Sequence, residues 1–243
     1  MEKIIEFRQI MLITDGESND GISPVSAAKE GHEKGVTTST IGITNRGKEE
    51  GALEEIKDIA EAGGGVWEIT HIQNLSMALS VATVKSVYKT IEEAVNKELK
   101  EIIGTELKDM HPQSRIKVTD MIDRLGDEIN IKCCIVIDSS GSMASKVNIA
   151  RNSILNLLRV LSQRKGKTEI AVISYPGKSG SQYDVLCDFT EDIDLLEKSL
   201  NKIQIGGNTP TGPAIESAIE LLCKKDKFGI KIEEEIVFKS LSV

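Results

Sequence analysis

Residues 133–137 are an uncharged apolar run, Cys133-Cys134-Ile135-Val136-Ile137, that ends abruptly in Asp138 and then in hydroxyls at Ser139, Ser140 and Ser142. A strand covered by helices on both faces reads as unbroken Val, Ile and Cys, so this run belongs at the centre of a parallel sheet. Open α/β sheets bind their ligands outside the carboxyl ends of such strands, which is where Asp138 falls. Asp138, Ser140 and Ser142 supply one carboxylate and two neutral hydroxyls from a single turn, and hard oxygen donors of this kind suit Mg²⁺, Mn²⁺ or Ca²⁺. Gly141 allows the turn to close tightly. Taken alone, the same residues would serve equally as a polar turn capping a following helix, because Asp and Ser favour helix N-termini for their own reasons.

Two further stretches shift that balance. Gly206-Gly207-Asn208-Thr209-Pro210-Thr211-Gly212-Pro213 is a glycine-rich loop leading into a helix, and Ile10-Met11-Leu12-Ile13-Thr14-Asp15-Gly16-Glu17-Ser18 is a second apolar strand that ends in a carboxylate. Together with Asp138-x-Ser140-x-Ser142 they resemble the von Willebrand factor A (VWA) domain family. Its metal-ion-dependent adhesion site (MIDAS) combines a DxSxS turn, a threonine in a loop before a helix, and an aspartate at the end of another central strand. The resemblance implies a metal site made by Asp138, Ser140, Ser142, Thr209 and Asp15. The hydroxyls of Ser140, Ser142 and Thr209 would contact the ion, and the two carboxylates would act directly or through water. With mostly neutral ligands the ion, Mg²⁺ or else Mn²⁺ or Ca²⁺, keeps positive character and attracts an Asp or Glu carboxylate from a partner protein. This is binding chemistry, so the resemblance implies no enzyme and no catalytic residue. In the usual family arrangement the TDG strand follows the threonine loop. Here it opens the chain, which implies a circularly permuted domain.

The remaining sequence alternates strand and helix signals. Residues 9–14, 36–43 and 66–70 read as strands. Between them lie a helix over 23–34, started by Ser23-Pro24 and stopped by Gly35, and an amphipathic helix carrying Leu53, Ile56, Ile59 and Ala60. From Asn74, a plausible N-cap, a long helical pattern runs through Leu75, Leu79, Val84, Tyr88, Ile91, Val95, Leu99 and Ile102. A second helix after Pro112 carries Ile116, Met121, Ile122 and Leu125 and is expected to close at Gly126 and fold back on the first. Val147, Ala150, Ile154, Leu157, Leu158 and Leu161 mark a core-facing helix, and residues 168–175 and 182–189 flank a Pro-Gly loop as an antiparallel hairpin. Further helices carry Ile193 to Ile203 and begin at Pro213; the tail 232–243 suits a helix, an edge strand or a frayed end. The fold class expected is α/β: a doubly wound, mostly parallel, Rossmann-like central sheet with one antiparallel edge hairpin. Residues 1–70 would be the C-terminal half of a VWA fold, 71–128 an inserted helical connector, and 129–243 the N-terminal half. The halves complete one composite domain within a chain, or between the chains of a swapped dimer.

Composition narrows the function. The 243 residues carry a formal net charge of -8 and only 3% aromatic side chains, which argues against a phosphate-backbone partner and against stacking platforms for single-stranded nucleic acid. Cys133, Cys134, Cys187 and Cys223 show no CxxC spacing, the N-terminus lacks a secretory pattern, and no apolar run is long enough to span a membrane. A cytoplasmic location with no membrane partner is expected. Gly177-Lys178-Ser179 lacks the upstream glycine of a phosphate-binding loop and stands between strands, and the Asp15 loop has Asp20 where a calcium-binding EF-hand needs glycine. Two other functions stay open: a scaffold with a degenerate metal site that binds partners through the helical connector, and a metal-dependent hydrolase.

Overall fold

The computed structural model describes residues 6–44 and 50–224. Strands β1 (Glu6–Thr14), β2 (Thr37–Ile43), β3 (Gly64–Thr70), β4 (Asn130–Asp138), β5 (Thr168–Tyr175) and β6 (Asp184–Thr190) form one sheet in the order β3-β2-β1-β4-β5-β6. Every neighbouring pair is parallel except β5 and β6, which form the antiparallel edge. The helices are α1 (Pro24–Glu33), α2 (Glu50–Ala62), α3 (Leu75–Ile103), α4 (Pro112–Glu128), α5 (Val147–Leu161), α6 (Ile193–Leu200) and α7 (Thr211–Cys223). This is the doubly wound α/β architecture expected from the sequence.

The central pair explains the unbroken apolar runs. Side chains alternate across a strand with a period of two, and both faces of β1 and β4 are covered. Met11, Ile13, Cys133, Ile135 and Ile137 enter a cluster with residues of α3, α4, α5 and α6, whereas Ile10, Leu12, Cys134 and Val136 enter a second cluster with residues of α1 and α7. Adjacent Cys133 and Cys134 therefore lie on opposite faces, both fully buried. Burial pushes the Cys133 thiol up to about 12 and Cys134 well above its ordinary value, so both stay protonated and act as small apolar groups.

The two segments that carry the motifs meet along β1 and β4, paired in register from Glu6↔Asn130 to Ile13↔Ile137. From this pair the chain winds outward in opposite directions, β1 to β2 and β3, β4 to β5 and β6. That reversal is a topological switch point, and it opens a crevice at the carboxyl ends of β1 and β4.

Helix α3 packs on β3, β2 and α5. Its later residues Ile91, Val95 and Leu99 are buried in the same cluster as Val118, Met121 and Ile122 of α4, so the two helices form the hairpin that the periodicity predicts. Three details differ from the sequence reading. Ile116 is 60% exposed and Val118 takes the seam position instead. Gly126 lies inside α4 rather than ending it, because a Cβ there would stand 2.9 Å from Cζ of Tyr88; the glycine serves a close ring contact. Asn74 makes no side-chain cap; a short 3₁₀ turn, Ile72–Asn74, leads into α3, which ends at Gly104 in the left-handed region. Among the described residues no helix is long and apolar enough to cross a membrane. The expectations for the tail 232–243 lie outside the described residues.

Candidate metal centre

The parallel register that matches Ile13 with Ile137 brings Thr14 level with Asp138 at the strand ends. The Thr14 hydroxyl donates to Asp138 Oδ2 at 2.8 Å, and the Ser140 backbone N–H donates to Asp138 Oδ1 at 2.8 Å, the local turn that Asp favours. Ser139 points the other way, its N–H and hydroxyl both donating to the Tyr175 carbonyl, at 2.7 and 3.0 Å, which anchors the turn to β5. Ser140 and Ser142 therefore share one side, their hydroxyl oxygens 3.2 Å apart. The Ser142 hydroxyl donates to Asp15 Oδ1 at 2.6 Å. Asp138, Ser140, Ser142 and Asp15 thus form one hydrogen-bonded network, although Asp15 stands near the start of the chain and Asp138 past its middle.

Thr209 reaches this network through its loop. Its N–H donates to Asn19 Oδ1 at 2.8 Å, and its carbonyl accepts from the Asn19 N–H at 3.2 Å and the Ser18 hydroxyl at 3.3 Å. The Gly206 N–H donates to the Ser139 carbonyl at 2.9 Å, which ties the same loop to the DxSxS turn. Gly212 completes the seat of α7: a Cβ there would stand 2.1 Å from the Ile22 carbonyl, so only glycine lets the helix start so close to the Asp15 loop. Helix α7 begins at Thr211, before the proline at which the sequence suggested it starts.

Asp138 is fully buried, and the described residues give it no ion pair. Burial pushes its carboxyl above the ordinary value and the Asp15 charge adds to the push, against the pull of the hydrogen bonds from Ser140 and Thr14. Asp15, also buried, is ion-paired: the Lys146 ammonium donates to its Oδ2 and, at 3.2 Å, to the Ser142 carbonyl. Lys146 is only 4% exposed and immediately precedes α5, the helix end at which a cation is disfavoured. Sequence reasoning passed over Lys146 and Thr14. Thr14 adjoins a singled-out aspartate, and Lys146 is a lone cation at the start of the strongest apolar helix stripe, but the partner of each lies more than a hundred residues away.

The donor set fits a hard divalent cation. Among the described residues no cluster of three or more His, Cys, Asp and Glu forms a metal-binding group, so an ion here would depend on hydroxyl oxygens beside the two carboxylates. Asp138 supplies the physical reason to bind one: its charge is out of water and, among the described residues, without a cation, and an ion would relieve that cost.

A central aspartate turn, a threonine loop and a second aspartate around the switch point of a doubly wound sheet define a VWA-type domain, and residues 133–238 match the von Willebrand factor type A domain family. Domains of this type generally mediate protein interactions. The chain is 35% identical over 213 residues to the uncharacterized protein YabS of Bacillus subtilis (strain 168), covering 86% of each, and it belongs to the same family. A crystal structure of an uncharacterized protein from Alicyclobacillus acidocaldarius subsp. acidocaldarius DSM 446, 33% identical, matches with a TM-score of 0.83 over 90% of this chain and 94% of that one.

Proposed function

We propose that this chain is a metal-dependent protein-binding module, in which Ser140, Ser142, Thr209, Asp138 and Asp15 hold a divalent ion in the manner of a MIDAS. The observation that carries this reading is the hydrogen-bonded convergence of Asp15, Ser140 and Ser142 on Asp138, which is fully buried and has no ion pair among the described residues, at the mouth of β1 and β4. Mg²⁺, Mn²⁺ or Ca²⁺ bound there would act as a positive centre with an open coordination position for an Asp or Glu carboxylate of a protein partner. The protein's own residues do the rest. Thr14 and the Ser140 N–H aim the Asp138 carboxylate, Ser142 aims Asp15, and the Gly206–Ser139 and Asn19–Thr209 bonds hold the threonine loop over them. No residue is given the role of nucleophile or general base, so the proposal is of a binding protein rather than an enzyme, placed in the cytoplasm.

The reading includes a circular permutation. In support, residues 130–223 supply β4, β5, β6 and the threonine loop, residues 6–70 supply the strands on the other side of the switch point, and α3 and α4 join the two. The test is calorimetric titration of Mg²⁺ and Mn²⁺ into the chelator-treated protein. Wild type is expected to bind, and Asp138→Ala and Thr209→Ala to bind at least about a hundredfold more weakly, beyond what loss of an outer-shell partner costs. A wild-type protein that binds neither ion would overturn the proposal.

One observation favours a scaffold reading. Met77, Val81 and Val84 of α3 are 73%, 40% and 39% exposed and recur at helical spacing, a small apolar face on a helix that carries none of the proposed metal ligands. If partner binding is lost in Met77→Glu/Val81→Glu and survives chelation in wild type, the scaffold reading replaces the metal one.

A further inference from the structure

We infer that Lys146 sets the charge of this site, weakening its hold on a divalent ion while strengthening the attraction of the loaded site for a carboxylate, a role that rests on the metal-dependent reading. Count the charges on the proposed ligands and on the side chain that pairs with them. Asp15 and Asp138 contribute two negative charges, and the hydroxyls of Ser140, Ser142 and Thr209 contribute none. A divalent ion on those ligands alone would leave the site as a whole neutral, so that only the local field of the ion at its open position would draw in an acidic group. Lys146 changes the sum. Its ammonium lies against Asp15 Oδ2 and the Ser142 carbonyl, inside the same network. With it, the ion-free site carries one net negative charge instead of two, and the ion-loaded site carries one net positive charge.

Burial makes that change matter. Lys146 is 4% exposed and Asp15 is 3% exposed, so water and salt screen their charges far less than those of a surface pair. The amino end of α5 adds positive potential at the same place. Both Asp15 oxygens are already engaged, Oδ1 by the Ser142 hydroxyl and Oδ2 by Lys146. An ion that uses Asp15 must share it with an ammonium, whereas Asp138 has no cation of its own among the described residues. The expected consequence is a site that holds its ion loosely when alone and more firmly once a carboxylate has arrived, since ion and carboxylate each favour the other.

Mn²⁺ alone and then acetate serve as probes. Mn²⁺ binding is read by calorimetry on wild type, Lys146→Met and Lys146→Arg; acetate binding to the Mn²⁺-saturated proteins is read from the relaxation rate of water protons, which falls when a ligand displaces water from the ion. Lys146→Met is expected to bind Mn²⁺ about tenfold more tightly and acetate about tenfold more weakly than wild type, the scale of removing one buried unit charge from a site. Lys146→Arg, which keeps the charge, is expected to stay close to wild type in both. Mn²⁺ affinity unchanged or reduced in Lys146→Met overturns the role of Lys146 while leaving the metal site in place. Absence of Mn²⁺ binding in all three proteins overturns the metal site itself. Melting followed by circular dichroism in EDTA confirms folding of each variant. If Lys146→Met does not fold, Lys146→Gln, which can still hydrogen-bond Asp15 and the Ser142 carbonyl, takes its place with the same deciding outcomes.

Discussion

Asp138 is carried out of water by its position at the end of a central strand, yet it is held by donors that favour its ionised form. Burial prevails, and the folded chain binds this proton more tightly than the unfolded chain does. The sign follows from linkage. Stability contributed by this group is highest below the unfolded carboxylate pKa and is lost as pH rises through the raised folded value. In EDTA, Asp138→Asn should therefore be more stable than wild type at neutral pH, by about 1 kcal/mol, with the difference shrinking toward zero as the pH is lowered below the ordinary carboxylate range. Urea melts at several pH values measure it. A variant less stable than wild type at neutral pH would mean that the Thr14 and Ser140 hydrogen bonds outweigh the burial. Adding Mn²⁺ should reverse the order, stabilising wild type alone. This residue was legible in the sequence because an uncharged run that stops at an aspartate is a local pattern. Thr14 and Lys146 were not, because a threonine at a strand end and a lysine before a helix acquire meaning only from partners that the sheet brings to them.

Helices α3 and α4 show the same division at the scale of elements. The apolar spacing that foretold α3 also placed Ile91, Val95 and Leu99 on one face, and those residues are buried against α4. Periodicity cannot tell a buried position from an exposed one on the same stripe, which is why Ile116 was assigned to the seam and lies 60% exposed. Nor can it tell a glycine that stops a helix from one that admits a neighbour; Gly126 makes room for Tyr88. These facts set a paired experiment. Val95→Asp/Leu99→Asp places two unpaired charges in a seam where both native side chains are 0% exposed, and should cost at least about 4 kcal/mol or abolish folding. Ile116→Asp, on the open side of α4, should stay within about 0.5 kcal/mol of wild type. If the double variant instead keeps its melting temperature and changes only its mass in solution, the seam is a contact between chains.

The whole molecule hangs on the pairing of β1 with β4, which joins the segment that opens the chain to one that begins past its middle. Neither segment keeps a complete sheet without that pairing, and the proposed metal ligands divide between them: Asp15 on one, Asp138, Ser140, Ser142 and Thr209 on the other. An ion bound across the seam should therefore stabilise both sides together. Trp67, the only tryptophan, makes this measurable. It lies on β3, the edge strand two places from β1, paired with Thr40 of β2 and 46% exposed. Binding at a hundredfold excess over the dissociation constant adds about 2.7 kcal/mol, which for a chain of this length raises the melting temperature by roughly 5–10 °C. If the sheet unfolds as one unit, Trp67 fluorescence and far-UV circular dichroism should give coincident transitions, and Mn²⁺ should shift both by the same amount. A Trp67 transition that stays in place while the circular dichroism transition moves would show that β2 and β3 unfold apart from the proposed metal site, and that the two segments act as separate cooperative units joined at β1 and β4.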